Sequence, residues 1–179
     1  MSLGIQRGAS VPSLSFYGTV TAAHRLGIAS ACNLKGMTHP RETLKCLSHS
    51  AQNHCFGCGP ANPTGLHLEF QIAEDVTVVC QASIGSEFDG HPGYLHGGII
   101  ATLLDEAMSK AVRARGVTAM TRKLEAEYLH PVPSGAMLRI EGRHLRAEGK
   151  KHWVEAKILD EADAELARGT GLFIAVRIP

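Results

Sequence analysis

The chain lacks an excess of either charge. Lys and Arg number 18 against 17 Asp and Glu, a formal net charge of +1. That gives no electrostatic case for a nucleic-acid partner. Long hydrophobic runs are also missing: no stretch reaches the roughly 18 apolar residues of a transmembrane helix, so no membrane span is expected. There is no Gly-rich phosphate loop of P-loop type and no G-x-S-x-G nucleophile elbow. The histidines form no HxxxH-type pair on a clear helix. Cysteine is sparse for a disulfide framework. Five residues (Cys32, Cys46, Cys55, Cys58, Cys80) are scattered over 179. An odd, dilute set points to a reducing compartment, and a cytoplasmic location is expected.

Acidic residues are absent from residues 1–41, which contain Arg7, Arg25, Lys35 and Arg41. This stretch is rich in Ser, Gly, Ala and Thr and shows no sustained period. Three readings stay open. It is a disordered tail, a region upstream of a true start at Met37, or a transit peptide, which would make the protein mitochondrial. Residues 42–179 then form one domain, of ordinary apolar content for a packed core.

Within that domain, Arg41–Ser50 suggests a short helix. Asn53–Leu66 is turn-rich, with Gly57, Gly59, Pro60, Asn62, Pro63 and Gly65. Leu66–Phe70 alternates apolar and polar residues, and Val76–Ala82 is apolar and β-branched, so both read as strands around a Glu74-Asp75 turn. Residues 97–114 read as a helix. Ile99, Ile100, Leu103, Leu104, Ala107, Met108, Ala111 and Val112 cover a broad arc at about 100° per residue. So wide an arc implies burial on most sides, with Asp105 at its edge. Four more strands are expected over Thr121–Leu129, Ala136–Leu145, Trp153–Leu159 and Leu166–Ile178. Short turns between consecutive strands make the sheet antiparallel, and the apolar helix must be covered by it. The fold class is α+β.

The chemistry concentrates in His96-Gly97-Gly98 and the helix that follows. Backbone N–H groups at a glycine-rich helix start form an anion-stabilising hole. An acid part-way along the helix supplies a base or nucleophile. Together they suggest acyl-group chemistry.

Several motifs recur in fixed order: Cys55-Phe56-Gly57-Cys58-Gly59 with Asn62-Pro63 and Gly65-Leu66; Gly90, Pro92-Gly93 and His96-Gly97-Gly98; Asp105; then Thr121, Tyr128-Leu129 and Pro131-Val132-Pro133. In this order the chain resembles the hotdog-fold acyl-CoA thioesterases of the phenylacetate-pathway-like branch, over about residues 50–178. The resemblance implies a long central helix wrapped by a curved antiparallel sheet of five to six strands. It implies hydrolysis of an acyl-CoA to a free acid and coenzyme A, with no metal or redox cofactor. The Gly97 N–H would then stabilise the thioester carbonyl, Asp105 would be base or nucleophile, and Thr121 would help hold the attacking water. His96 would order the turn, as a capping residue, or touch substrate, and Gly98 would line the site. Related branches often carry Asn where Gly90 stands here.

Eight residues separate Gly97 from Asp105, roughly 12 Å along a helix. That is too far for both to serve one carbonyl. The pairing works if Gly97 comes from one subunit and Asp105 from another, so a homodimer with interfacial sites is expected, as the resemblance also implies, with dimer against homotetramer left open. Arg143, Arg146, Lys150 and Lys151 are candidates for the coenzyme A phosphates, or a solvated hairpin. Glu106 reads as the exposed flank of the helix. Cys55 and Cys58 have metal-ligand spacing, with Cys46, His49 and His54 nearby, but no metal is expected. Two rival functions remain: a non-catalytic acyl-CoA-binding sensor, and a hydratase or dehydratase.

Overall fold

The computed structural model describes residues 45–73 and 77–177. The expectations for residues 1–41 and for the Glu74-Asp75 turn lie outside the described residues. One long helix, α1 (Gly97–Arg113), is followed by four long strands: β6 (Ala119–Tyr128), β7 (Met137–Glu148), β8 (Lys151–Leu159) and β9 (Glu165–Ala175). Before it come β1 (Lys45–Cys46), β2 (Gln71–Ile72), β3 (Val78–Ser83), a 3-10 turn at Ser86–Phe88, and the short ribbon strands β4 (Asp89–His91) and β5 (Tyr94–Leu95). The main sheet is antiparallel, in the order β1-β2-β3-β7-β8-β9-β6. It has seven strands rather than five or six, because two two-residue strands extend one edge.

Alternation decides what the sheet buries. Along β8, His152, Val154, Ala156 and Ile158 turn inward, as do Leu138 and Ile140 of β7 and Ala167 and Phe173 of β9. They meet Leu103, Leu104, Ala107, Met108 and Ala111 of α1, all inaccessible to solvent. Cutting one of these larger aliphatic side chains to Ala costs about 2–5 kcal/mol. Where α1 comes closest to β7, a Cβ on Gly142 would lie 2.3 Å from the Ala107 carbonyl oxygen. Only glycine lets strand and helix backbones meet there. Gly149, at φ +57, turns β7 into β8.

Two local expectations are overturned. Residues 45–50 form no helix: Lys45–Cys46 is a strand paired with β2, and the Leu47 N–H donates to the Phe70 carbonyl at 3.0 Å. Long-range pairing overrides the local helical pattern. Leu66–Phe70 is not a strand either. Its apolar residues are buried as the alternation implies, but the Leu66 and Leu68 N–H groups donate to the carbonyls of Phe56 and Gly57. The partner is the cysteine-containing turn, and His67 lies in the left-handed region at φ +50. Among the described residues no helix is long and apolar enough to cross a membrane.

Candidate active site

The start of α1 is built by His96. It is the N-cap, extended at φ −61 and ψ 138, and its ring Nδ1 accepts from the Gly98 N–H at 2.9 Å. The His96 carbonyl accepts from the N–H groups of Ile99 and Ile100. A helix start leaves its first N–H groups without intrahelical acceptors. Here the capping ring takes Gly98 and the cap carbonyl takes the next two. The donor left at the positive end of the helix is Gly97. His96 thus caps the helix that carries Gly97.

Two neighbours fix this corner. The Tyr128 hydroxyl donates to the Gly97 carbonyl at 3.2 Å, pinning the end of β6 to the first helical turn. Tyr128 was visible in the motif, but nothing in the spacing indicated this contact. Gly90 packs against His96: a Cβ there would sit 2.9 Å from the His96 Cα. A side chain at this position would press on the backbone that sets the cap. Asp89 instead closes the ribbon turn, accepting from the Gly93 N–H at 2.8 Å.

Two turns further along, Asp105 is half-buried and accepts a hydrogen bond from the Thr121 hydroxyl at 2.7 Å. Burial raises its pKa above the ordinary aspartate value, and the Thr121 hydrogen bond partly opposes that rise. The result is a carboxylate held by one partner in a partly desolvated place, a suitable base or nucleophile. No hydrogen bond joins Asp105 to the Gly97 corner of the same chain among the described residues.

Comparison with known proteins bears on the fold that carries these residues. Residues 92–167 match the model of a family described as the thioesterase superfamily. A Xenopus laevis protein, acyl-coenzyme A thioesterase THEM4, is 32% identical over 98 residues, covering 54% of this chain and 44% of that protein. The chain thus spans under half the length of that curated relative. A crystal structure of a thioesterase superfamily protein superposes with a TM-score of 0.65 at 26% identity, covering 68% of this chain and 63% of the other. The E. coli PaaI protein from the phenylacetic acid degradation operon superposes with a TM-score of 0.58 at 16% identity, covering 63% and 81%. This chain has the hotdog fold that these structures share.

The other face of the hotdog helix departs from expectation. Glu106 is not an exposed flank: it is 8% accessible. Its carboxylate pairs with Lys110 Nζ at 2.7 Å and accepts from the Cys55 thiol at 3.2 Å. Lys110 Nζ also donates to Cys58 Sγ at 3.0 Å. Burial is the largest influence on Glu106 and raises it, but the Lys110 charge and the hydrogen bonds from Lys110, Cys55 and Cys58 together outweigh it and hold the carboxyl below its ordinary value. Burial likewise lowers Lys110, and Glu106 and Cys58 together reverse that. The turn that carries the cysteines covers this face so closely that a Gly57 Cβ would fall 2.3 Å from the Glu106 Cγ.

The basic candidates gather on the β7–β8 hairpin and have local partners. Arg143 pairs with Glu155 at 2.6 Å, and Arg146 stacks over Trp153 at 3.5 Å while pairing with Glu148. Lys150 and Lys151 are exposed at the turn. Arg143 also lines a concavity of about 900 Å3 with Glu127, Glu141, Glu155, Lys157 and Arg168. These side chains cross-pair, as in Arg168–Glu127 at 2.6 Å and Lys157–Glu141 at 3.3 Å. The concavity includes neither Gly97 nor Asp105. Its ion pairs make it a solvated face, and size alone does not make it the reactive site.

Proposed function

We propose that the protein is an acyl-CoA thioesterase whose active sites lie between two copies of the chain. The observation that carries this reading is the half-buried Asp105, held by Thr121 beside the free edge of β6. The relative named acyl-coenzyme A thioesterase supports the substrate class.

The free edge supports the assembly. β6 pairs with β9 on one side only among the described residues. Ten residues of unpaired edge, with Met120 55% and Tyr128 54% exposed, invite another strand. An antiparallel pairing of β6 with its copy, centred on Glu125, sets Thr121 opposite the partner's Tyr128 once the bulge between Thr121 and Lys123 is counted. Thr121 marks Asp105, and Tyr128 marks Gly97. Such pairing therefore brings the acid of one chain toward the helix start of the other, twice per dimer.

In that site the Gly97 N–H and the helix dipole stabilise the thioester oxygen as negative charge develops. Asp105 takes a proton from water as the water oxygen bonds to the carbonyl carbon, or it attacks that carbon itself to form an anhydride that water opens. The carbon–sulfur bond breaks, and coenzyme A leaves as the thiol with the proton. Thr121 donates to Asp105 and offers its oxygen lone pairs to the attacking water. The reaction takes no metal or redox cofactor. All four basic hairpin residues are exposed, but Arg143 and Arg146 are held by Glu155 and Glu148, which leaves Lys150 and Lys151 to meet the phosphates of coenzyme A.

A panel of acyl-CoA substrates with a free-thiol readout tests this. Release of coenzyme A from at least one member is expected. Tight binding of an acyl-CoA with no release from any would leave a sensor instead.

A further inference from the structure

We infer that Cys55 and Cys58 are a redox-active thiol pair that exchanges with low-molecular-weight disulfides, a chemistry separate from the thioesterase reading. Both are free thiols: Cys55 is half-buried and Cys58 is buried. Their sulfurs and a Glu106 oxygen lie within 4.8 Å of one another. The Gly59 N–H donates to the Cys55 carbonyl at 2.9 Å, which closes the turn and keeps both thiols on its inner side. Two charged groups then treat the thiols differently. The Cys55 thiol donates to Glu106 Oε1 at 3.2 Å, which fixes the direction of its sulfur. Cys58 Sγ accepts from Lys110 Nζ at 3.0 Å, and from Asn53 Nδ2 at 3.7 Å, so a developing thiolate there is stabilised. Burial nonetheless pushes the Cys58 thiol up to about 11, which leaves Cys55 to react first.

The same three ligands would suit a soft divalent cation. The Lys110 ammonium already sits against Cys58 and Glu106, however, and supplies the positive charge a metal would bring. His49, the other nearby candidate, lies outside the three-residue cluster, although both its ring nitrogens are buried without partners.

The exchange has two steps. Cys55 sulfur attacks one sulfur of RSSR as its thiol proton passes to water; the S–S bond breaks, a mixed disulfide forms, and the released RS⁻ takes a proton from water and leaves as RSH. Cys58 sulfur then attacks the Cys55 sulfur, and the second RSH leaves with the Cys58 proton. The protein loses two electrons and two protons, and RSSR becomes two RSH.

The full chain is equilibrated in glutathione buffers of graded redox poise, quenched in acid, alkylated and mapped by mass spectrometry. Loss of two hydrogens in a peptide linking Cys55 to Cys58 is expected as the buffer becomes oxidising, while Cys80 alkylates only after unfolding. With Cys58→Ser, a glutathione adduct should accumulate on Cys55. With Cys55→Ser, Cys58 should gain at least tenfold less adduct. Three outcomes overturn the inference: both thiols staying reduced in the most oxidising buffer, adduct forming faster on Cys58 than on Cys55, or one zinc per chain that protects the pair from alkylation. Circular dichroism of each variant establishes that it is folded.

Discussion

Asp105 and Glu106 are adjacent acids on one helix, and they have opposite fates. About 100° of helical rotation sends one to the open edge beside β6 and the other under the cysteine turn. Asp105 has a single hydroxyl partner and a pKa raised by burial. Glu106 has an ammonium and two thiols, which together lower its pKa against burial. A carboxylate without a counter-charge is kept at a cost to the fold and is available for chemistry. A carboxylate with one is committed to the fold.

The sharpest way to break this contrast is Asp105→Asn. Loss of a general base removes about 100-fold or more of turnover, measured as coenzyme A release. Thermal stability should not fall, for a reason of sign. The folded pKa of Asp105 lies above the unfolded value near 3.9. Its proton-linked contribution to stability is present below that value and is lost as pH rises through the folded pKa. A neutral amide escapes that loss. Activity should run the other way, falling as pH drops through the raised pKa. Retained turnover, or a lowered midpoint in a thermal scan, would dissolve the distinction.

Lys110→Met should do the reverse: about 3 kcal/mol of stability lost in urea unfolding, because a buried carboxylate is left unpaired, with turnover per folded molecule retained. The pair's own pH window follows from its shifts. The Glu106 contribution is present above about 4.3 and is lost as pH falls through its lowered pKa; the Lys110 contribution is present below about 10.4 and is lost as pH rises through its raised one.

Thr121→Ala sharpens the Asp105 side. Losing a hydrogen bond to a charged group costs about 1.5–3 kcal/mol, so kcat should fall on the order of tenfold. The acid limb of the rate profile should also move to higher pH, since Thr121 is what holds the Asp105 pKa down. An unmoved limb would mean the hydroxyl has another task. Gly57→Ala, on the Glu106 side, should cost about 1–3 kcal/mol through overpacking, read as a lower urea midpoint with turnover unchanged.

Much of this was legible in the sequence, and the exceptions share a cause. The helix over 97–114 and the four strands after it rest on local periodicity, and the placing of Gly97 at the helix start and of Asp105 beside Thr121 rests on a short motif. The role of Glu106 rests on a turn about 50 residues away in the chain. An i, i+4 Glu–Lys pair reads as an ordinary exposed pair, and only the missing Cβ at Gly57 marks the site of close approach. Leu66–Phe70 failed for a related reason: alternation reported its burial correctly but not that its partner is a turn.

The central claim is that Gly97 of one chain works with Asp105 of another, and subunit mixing tests it directly. Gly97 is the first helical residue, where proline is tolerated, and His96 before it is already extended. Gly97→Pro thus removes one N–H while leaving the helix in place. Neither Gly97→Pro nor Asp105→Asn homodimers should turn over substrate. Mixed in equal amounts and allowed to exchange, half of the dimers are hybrids with one intact site of two, so about a quarter of wild-type activity should return. No recovery, with exchange verified by mass, would place both groups in one chain and contradict the account.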